Sequence, residues 1–278
     1  MSTLYLVATP IGNLEDISQR ALRMLGEVNL IAAEDTRHTA KLLQHYDIHT
    51  RSISYHEHNK QIRIERVLEA LAEGDVALVS DAGTPALNDP GYELVRAALL
   101  AGHLVSPIPG PCAPIAALVA SGLPTDAFLY LGYLPRKAGE RERLLKGVSN
   151  MPYTLIFLEA PHRMLEALDA LRSMLGDRQV AVGRELTKLH EEIFRGSLSE
   201  AHDHFSNNLP KGEFTLVLAG SQTGPSRWSE ERLETELQLC MSGGESASKA
   251  AARLSGNSGW SRREIYQLLL KKQGKITK

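Results

Sequence analysis

The residues best suited to hold a small charged molecule are concentrated in three loops, each following a short apolar run. The second of them, SDAGTPALNDPG at 80–91, offers Asp81, whose carboxylate can accept hydrogen bonds from ribose hydroxyls or pair with a cation. It also offers Thr84, with a hydroxyl and a backbone donor, in a turn shaped by Gly83 and Pro85. Read blandly, it is a well-formed turn leading into a helix that Asp89 caps and Pro90 opens. The first loop, TPIGN at 9–13, stands where a nucleotide-binding fold places its glycine cluster, yet it has one glycine. A dinucleotide needs that cluster so that the backbone can crowd a pyrophosphate at a helix N-terminus. Glu34 and Asp35, about 20 residues on, imitate the ribose-binding acid of dehydrogenases, but without the glycines NAD is disfavoured, whereas a phosphate-free nucleoside is not. The third loop, PIPGPCAP at 107–114, is stiffened by prolines that fix backbone donors and acceptors, suiting recognition of an adenine edge. As a bland alternative it is a hinge, and Cys112 a small packed residue.

The elements that must carry these loops alternate. Apolar runs TLYLVA (3–8), VNLIAA (28–33), RSISY, DVALVS (75–80) and HLVSPI (103–108) are separated by helical patterns, which predicts an α/β lobe over 1–122 with a parallel sheet covered on both faces. A second lobe, 123–221, contains FLYLGYL, YTLIFLEA, RQVAVGREL, EEIFRGS and GEFTLVLAG with a helix striped by Met164, Leu165, Leu168, Leu171 and Leu175. Several of these runs follow one another with little helix between, so a mixed sheet with antiparallel pairing around Glu191–Gly196 is expected. SQTGPSRW reads as a linker, and 229–278 as a small helical appendage whose segments start at Ser229, Ser246 and Ser261.

The formal net charge of −2 is unevenly spread. From Ser246 onward eight basic residues face one acid, a balance of +7 against −9 for everything before it. A basic end on an acidic body is a polyanion-binding pattern, since phosphates can be neutralised there with counterion release; a solvated helical surface is the plainer alternative. No apolar stretch of the length a membrane span needs is present, and Cys112 and Cys240 lie in no metal-binding or disulfide-framework spacing. A cytoplasmic protein with no metal is expected.

The three loops, together with AEDTR (33–37), YHEHN (55–59), FLYLGYLPRK (128–137), EAPHR (159–163) and ELTKLHEE (185–192), resemble in consistent order the bacterial ribosomal RNA small subunit methyltransferase I (RsmI) family of the tetrapyrrole (corrin/porphyrin) methylase superfamily. The resemblance runs from about Leu4 to Gly220, and the helical tail also fits; Cys112 and Asn88 depart from it, where the family pattern has serine. It implies the two-lobed tetrapyrrole-methylase fold of class III methyltransferases, and a homodimer using S-adenosylmethionine to methylate the 2′-hydroxyl of a cytidine (cytidine 1402) in the decoding centre of 16S rRNA within the 30S subunit. Carried over, the donor pocket would be lined by Pro10, Gly12, Asp81, Thr84, Cys112, Ala113 and Leu158.

A sugar hydroxyl is weakly acidic, so a general base or nearby cations must favour the alkoxide. Asp35, His56, Glu57, Lys188 and Glu191 are the candidates for that role. Arg37, Arg136, Lys137 and Arg163, with Lys249, Arg253, Arg262 and Arg263 of the tail, are the candidate RNA contacts, each with a solvated or salt-bridged surface residue as its plainer reading. His56 and His58 alone make a weak metal site. Two alternatives stay open: a methyltransferase acting on a tetrapyrrole precursor, which needs no basic tail, and a non-enzymatic RNA-binding protein, which would bind no S-adenosylmethionine.

Overall fold

Strands that are apolar at every position need cover on both faces. In the computed structural model, which describes residues 2–57, 60–208, 210–221 and 228–273, β2 (Leu30–Ala33) and β4 (Val76–Val79) are buried along their whole length. They lie inside a five-stranded sheet with β1 (Thr3–Val7), β3 (Ser52–Ser54) and β5 (Leu104–Ile108), in the order β3-β2-β4-β1-β5, every pair parallel. The pleat sends Val7, Ile31, Ala33, Ala77 and Val79 into a core shared with α1 (Gln19–Glu27) and α2 (Thr36–His45). Leu4, Leu30, Ala32, Val76 and Leu78 point the other way, towards α3 (Lys60–Glu73) and α4 (Tyr92–Leu100). Each such buried Leu, Ile or Val is worth about 1.5–3 kcal/mol. Pro107 is tolerated because β5 is an edge strand.

α5 (Ala113–Ser121) carries the chain from this sheet to a second one. Its strands are β6 (Phe128–Tyr133), β7 (Thr154–Glu159), β8 (Gln179–Arg184), β9 (Glu192–Ser197) and β10 (Phe214–Leu218), in the order β6-β7-β10-β8-β9. Only β6 and β7 run parallel; β10 is antiparallel to both its neighbours and β8 to β9, the pairing expected around Glu191–Gly196. One face packs on α6 (Ala138–Val148), α7 (Met164–Leu175) and α8 (Leu198–Asn207). The other receives Ala117 and Leu118 of α5 together with Ile11 from the first loop of the other sheet, so the two halves share a core where they meet.

Three local expectations change. Strands of the second sheet were expected to follow one another closely, but α6 and α8 intervene; α6 buries only Leu145 and Val148 among many charges, a faint apolar signal. Asp89 does not cap α4, which begins at Tyr92 after Gly91 with no side-chain cap; Asp89 instead bonds Ser80. Pro90 accordingly precedes the helix rather than opening it.

Beyond residue 228, α9 (Glu230–Ser242), α10 (Ala247–Ser255) and α11 (Arg262–Gln273) surround a core of their own that includes Leu233, Leu237, Ala250, Leu254 and Ile265. Ser229 and Ser246 cap α9 and α10, and Ser261 and Glu264 exchange backbone bonds at the start of α11. The expected linker at 222–227, His58, Lys275 and Lys278 lie outside the described residues.

Candidate functional site

The carboxyl ends of β1, β2, β4 and β5 converge, and their loops are tied to one another. Thr9 and Gly83 exchange backbone hydrogen bonds at 2.9 and 3.0 Å. The Thr84 hydroxyl donates to the Pro111 carbonyl at 3.1 Å, and the Asp35 N–H donates to the Asp81 carboxylate at 3.0 Å. Gly83 sits at φ +82°, a conformation that glycine adopts without penalty. The loops therefore form one rigid rim, facing the second sheet across a cleft.

That cleft, about 240 Å³, is lined from the first half by Asp81, Thr84, Asp89, Cys112 and Ala113, and from the second by Tyr130, Tyr133, Leu158, Glu159 and Glu213. Among the described residues five carboxyl groups line it, counting Glu34, and no lysine or arginine does. Burial raises the pKa of Glu34 against the backbone bond from Asp81. Burial and the neighbouring Glu34 push Asp89 up to about 6. Burial likewise raises Glu159, opposed by the Ala160 N–H and Arg163. The Glu159 side chain is fully buried; Oε1 accepts from Ala160 N–H at 2.9 Å and pairs with Arg163 at 3.4 Å, whereas Oε2 has no hydrogen-bond partner among the described residues. The Tyr130 hydroxyl is also buried without a partner among those residues. Such groups are unfavourable until a ligand satisfies them. The lining fits a cationic nucleoside carrying N–H donors; a pyrophosphate would meet five carboxyl groups and, among the described residues, no lysine or arginine.

The sequence-derived residues divide into groups. Asp81, Thr84, Cys112, Ala113 and Leu158 line the cleft itself. Pro10 and Gly12 line an adjoining crevice of about 430 Å³ with His38 and Lys188. Gly12 is where the halves approach most closely: a Cβ there would overlap Lys188 Cγ and come within 2.8 Å of Thr187 Oγ1 and 3.0 Å of the Leu186 carbonyl. Lys188 bonds Glu185 at 2.9 Å and Glu213 at 3.1 Å; burial opposes its charge, but these two carboxylates outweigh it and raise its pKa. Asp35 caps α2 and is clamped by Arg37 at 2.7 Å, which holds its carboxyl far below the usual range. Glu191 accepts from Thr187 N–H at 2.6 Å and so shapes its own loop. His56 and Glu57 follow β3 outside the cleft lining, His56 close enough to Glu34 to lower its pKa. Of the five candidate bases, only Lys188 faces either cavity.

Among the expected RNA contacts, Arg37 is exposed, Arg136 is exposed, and Lys137 pairs with Glu140 at 3.2 Å. Arg163 is turned inward, donating to the Leu134 carbonyl at 2.6 Å beside Glu159; it buttresses the cleft wall and is not a surface cation. Lys249 and Arg263 are exposed, Arg262 donates to Ser248 at 2.8 Å and Arg253 pairs with Glu245 at 3.0 Å. Sequence reasoning missed Tyr130, Tyr133, Glu159 and Glu213 as lining residues. Glu159 stood in the EAPHR motif, but only the docking of two sheets shows that it faces inward.

A family model described as Tetrapyrrole (Corrin/Porphyrin) Methylases matches residues 3–202. The chain is 50% identical to "Ribosomal RNA small subunit methyltransferase I" of Synechocystis sp. over 97% of its own length and 98% of the relative's. The proteins of the same name from Escherichia coli O157:H7 and Bacillus subtilis are 46% and 42% identical, with 98% and 96% of this chain and 96% and 93% of theirs covered. Among solved structures, the methyltransferase CobJ superposes with a TM-score of 0.61 at 18% identity, covering 82% of this chain and 98% of the other. A uroporphyrin-III-C-methyltransferase from Thermus thermophilus gives 0.54 at 19%, covering 78% and 94%. These structures share the expected two-lobed fold. The chain belongs to the tetrapyrrole methylase family, within the group of ribosomal RNA small subunit methyltransferase I proteins.

Proposed function

We propose that this chain is an S-adenosylmethionine-dependent methyltransferase that modifies the 2′-hydroxyl of a cytidine, cytidine 1402, in 16S rRNA of the 30S subunit. The observation that carries the reading is the cleft: carboxyl-rich, free of lysine and arginine, and without the glycine cradle a pyrophosphate needs. A sulfonium donor supplies an already activated methyl group. The chain's own residues must then hold the acceptor oxygen in line with it and exclude water. The rim bonds among Thr9, Gly83, Thr84 and Pro111 provide that rigidity. In the transfer, the oxygen–methyl bond forms as the methyl–sulfur bond breaks, S-adenosylhomocysteine leaves, and the hydroxyl proton passes to a carboxylate or to water. Asp81 and Glu213 both stand where donor cleft and crevice meet; Glu213 is engaged by Lys188, which leaves Asp81 the carboxylate best placed to take it.

The exposed cations of α10 and α11 supply a face for phosphates. Exposed apolar residues Leu100, Leu104 and Val119 on α4, β5 and α5 suit a homodimer. Kinship with proteins named for ribosomal RNA favours this reading over a tetrapyrrole precursor as substrate. Incubating the protein with labelled donor and 30S particles from cells lacking it tests the proposal. Label on one cytidine whose ribose resists alkali supports it; label on a base, or none, overturns it.

A further inference from the structure

A third cavity, of about 260 Å³, opens beneath α2 on the far side of the rim, between Thr9, Pro10, Leu14, Thr39, Lys41 and Leu42. It is as roomy as the donor cleft and shares Asp81 with it. Pro10, Leu14 and His38 line both this cavity and the crevice, and Asp81 lines all three spaces. The density of carboxylates falls across that seam. Five carboxyl groups, two phenols and the Cys112 thiol line the donor cleft; the crevice carries Lys188 and His38 against Asp81 and Glu213; and the cavity beneath α2 carries Lys41 and His38 against Asp81 alone, with exposed Arg37 next to His38. Behind the crevice, next to Gly12, the Thr187 hydroxyl is buried with no hydrogen-bond partner among the described residues. Thr187 lies at φ +66°, a strained conformation for a β-branched residue, and such strain is retained chiefly at functional sites.

Resting on the reading of the chain as an RNA ribose methyltransferase, we infer that the cavity beneath α2 takes the base of the acceptor nucleotide, everted from the RNA, and leaves its ribose at Asp81. A cationic donor belongs with the carboxylates, and a polyanion is repelled by them, so the acceptor strand arrives from the side of Lys41, where Asp81 is the one lining carboxylate among the described residues. A hydroxyl inside a folded RNA is out of reach of a recessed methyl group unless its nucleotide swings out. Enzymes that act on a stacked nucleotide meet that need with an apolar slot bearing a few polar groups. Pro10, Leu14 and Leu42 provide the slot, Thr39 the polar group, and Lys41 at the rim a phosphate contact.

Leu14→Trp would fill the mouth of the cavity, where Leu14 is 40% exposed. Single-turnover methylation of unmethylated 30S particles is expected to fall at least about 100-fold, with the donor Kd changed by less than about 2-fold. Wild-type rates in this variant would overturn the inference, and so would a parallel loss of donor binding in a folded protein. Should that variant not fold, Lys41→Glu on the exposed side of α2 is expected to raise KM for 30S particles about 10-fold with donor Kd unchanged. An unchanged KM would count against the cavity. Wild-type protein that leaves no label on ribose refutes the proposed function; ribose label that both variants place as well as wild type refutes only the subsite.

Discussion

A carboxyl group that is costly to ionise in the empty protein becomes an asset when a cation arrives, and Asp89 is in this position. Its pKa is about 6 in the fold against 3.8 as the ordinary value, because burial and Glu34 disfavour the charge. An acid raised in this way contributes stability that is present at low pH and is lost as pH rises through about 6. Asp89→Asn should therefore raise the melting temperature of the ligand-free protein at pH 7.5, by about 2 °C after allowance for partial exposure, and the gain should narrow as pH falls to 5. An advantage independent of pH would contradict this. Asp81 and Thr84 could be read from the sequence because strand-end turns collect Asp, Gly and Pro in short runs, whereas Cys112 and Ala113 came only with the family resemblance. Glu159 and Tyr130 could not, because their unsatisfied atoms acquire meaning only when the second sheet closes the cleft. The base candidates were hard to rank for a related reason: Asp35 and Glu191 are consumed by a helix cap and a loop bond, partnerships that residue type does not reveal.

Among the elements, the contact of the first loop with the β8–β9 connection fixes the spacing of the lobes. Gly12 leaves no room for a side chain against the Leu186 carbonyl, Thr187 and Lys188, and Lys188 is itself tethered to Glu185 and Glu213. Gly12→Ala should destabilise the protein by about 1–3 kcal/mol through overpacking and weaken donor binding, as read by thermal unfolding and titration. Unchanged values for both would show that the contact is loose. The parallel sheet was legible because β2 and β4 are apolar throughout, and α7 because its leucines recur on one stripe. α6 and α8 were not, since their buried positions are few and set among charged and polar residues. The capping of α4 was misread because Asp89 serves the cleft instead of the helix.

For the whole molecule, charge is unevenly spread: an acidic cleft between the sheets, Lys41 and His38 along the cavity beneath α2, and a tail with exposed cations whose helices carry a core of their own. Because that core is separate, removing Ser229–Lys278 should weaken binding to 30S particles by at least about 10-fold, and more steeply at low salt, while donor affinity stays within about 2-fold. Equal loss of both in a folded protein would contradict the division of labour. The central claim, that the cleft grips a phosphate-free cationic nucleoside, is tested most directly by calorimetric titration of S-adenosylmethionine into the purified chain at pH 7.5 and pH 5, with NAD as the comparison. The account predicts one site per chain, weaker binding at pH 5 as Asp89 takes up its proton, and no binding of NAD. No heat with S-adenosylmethionine, or saturable binding of NAD in its place, would contradict it.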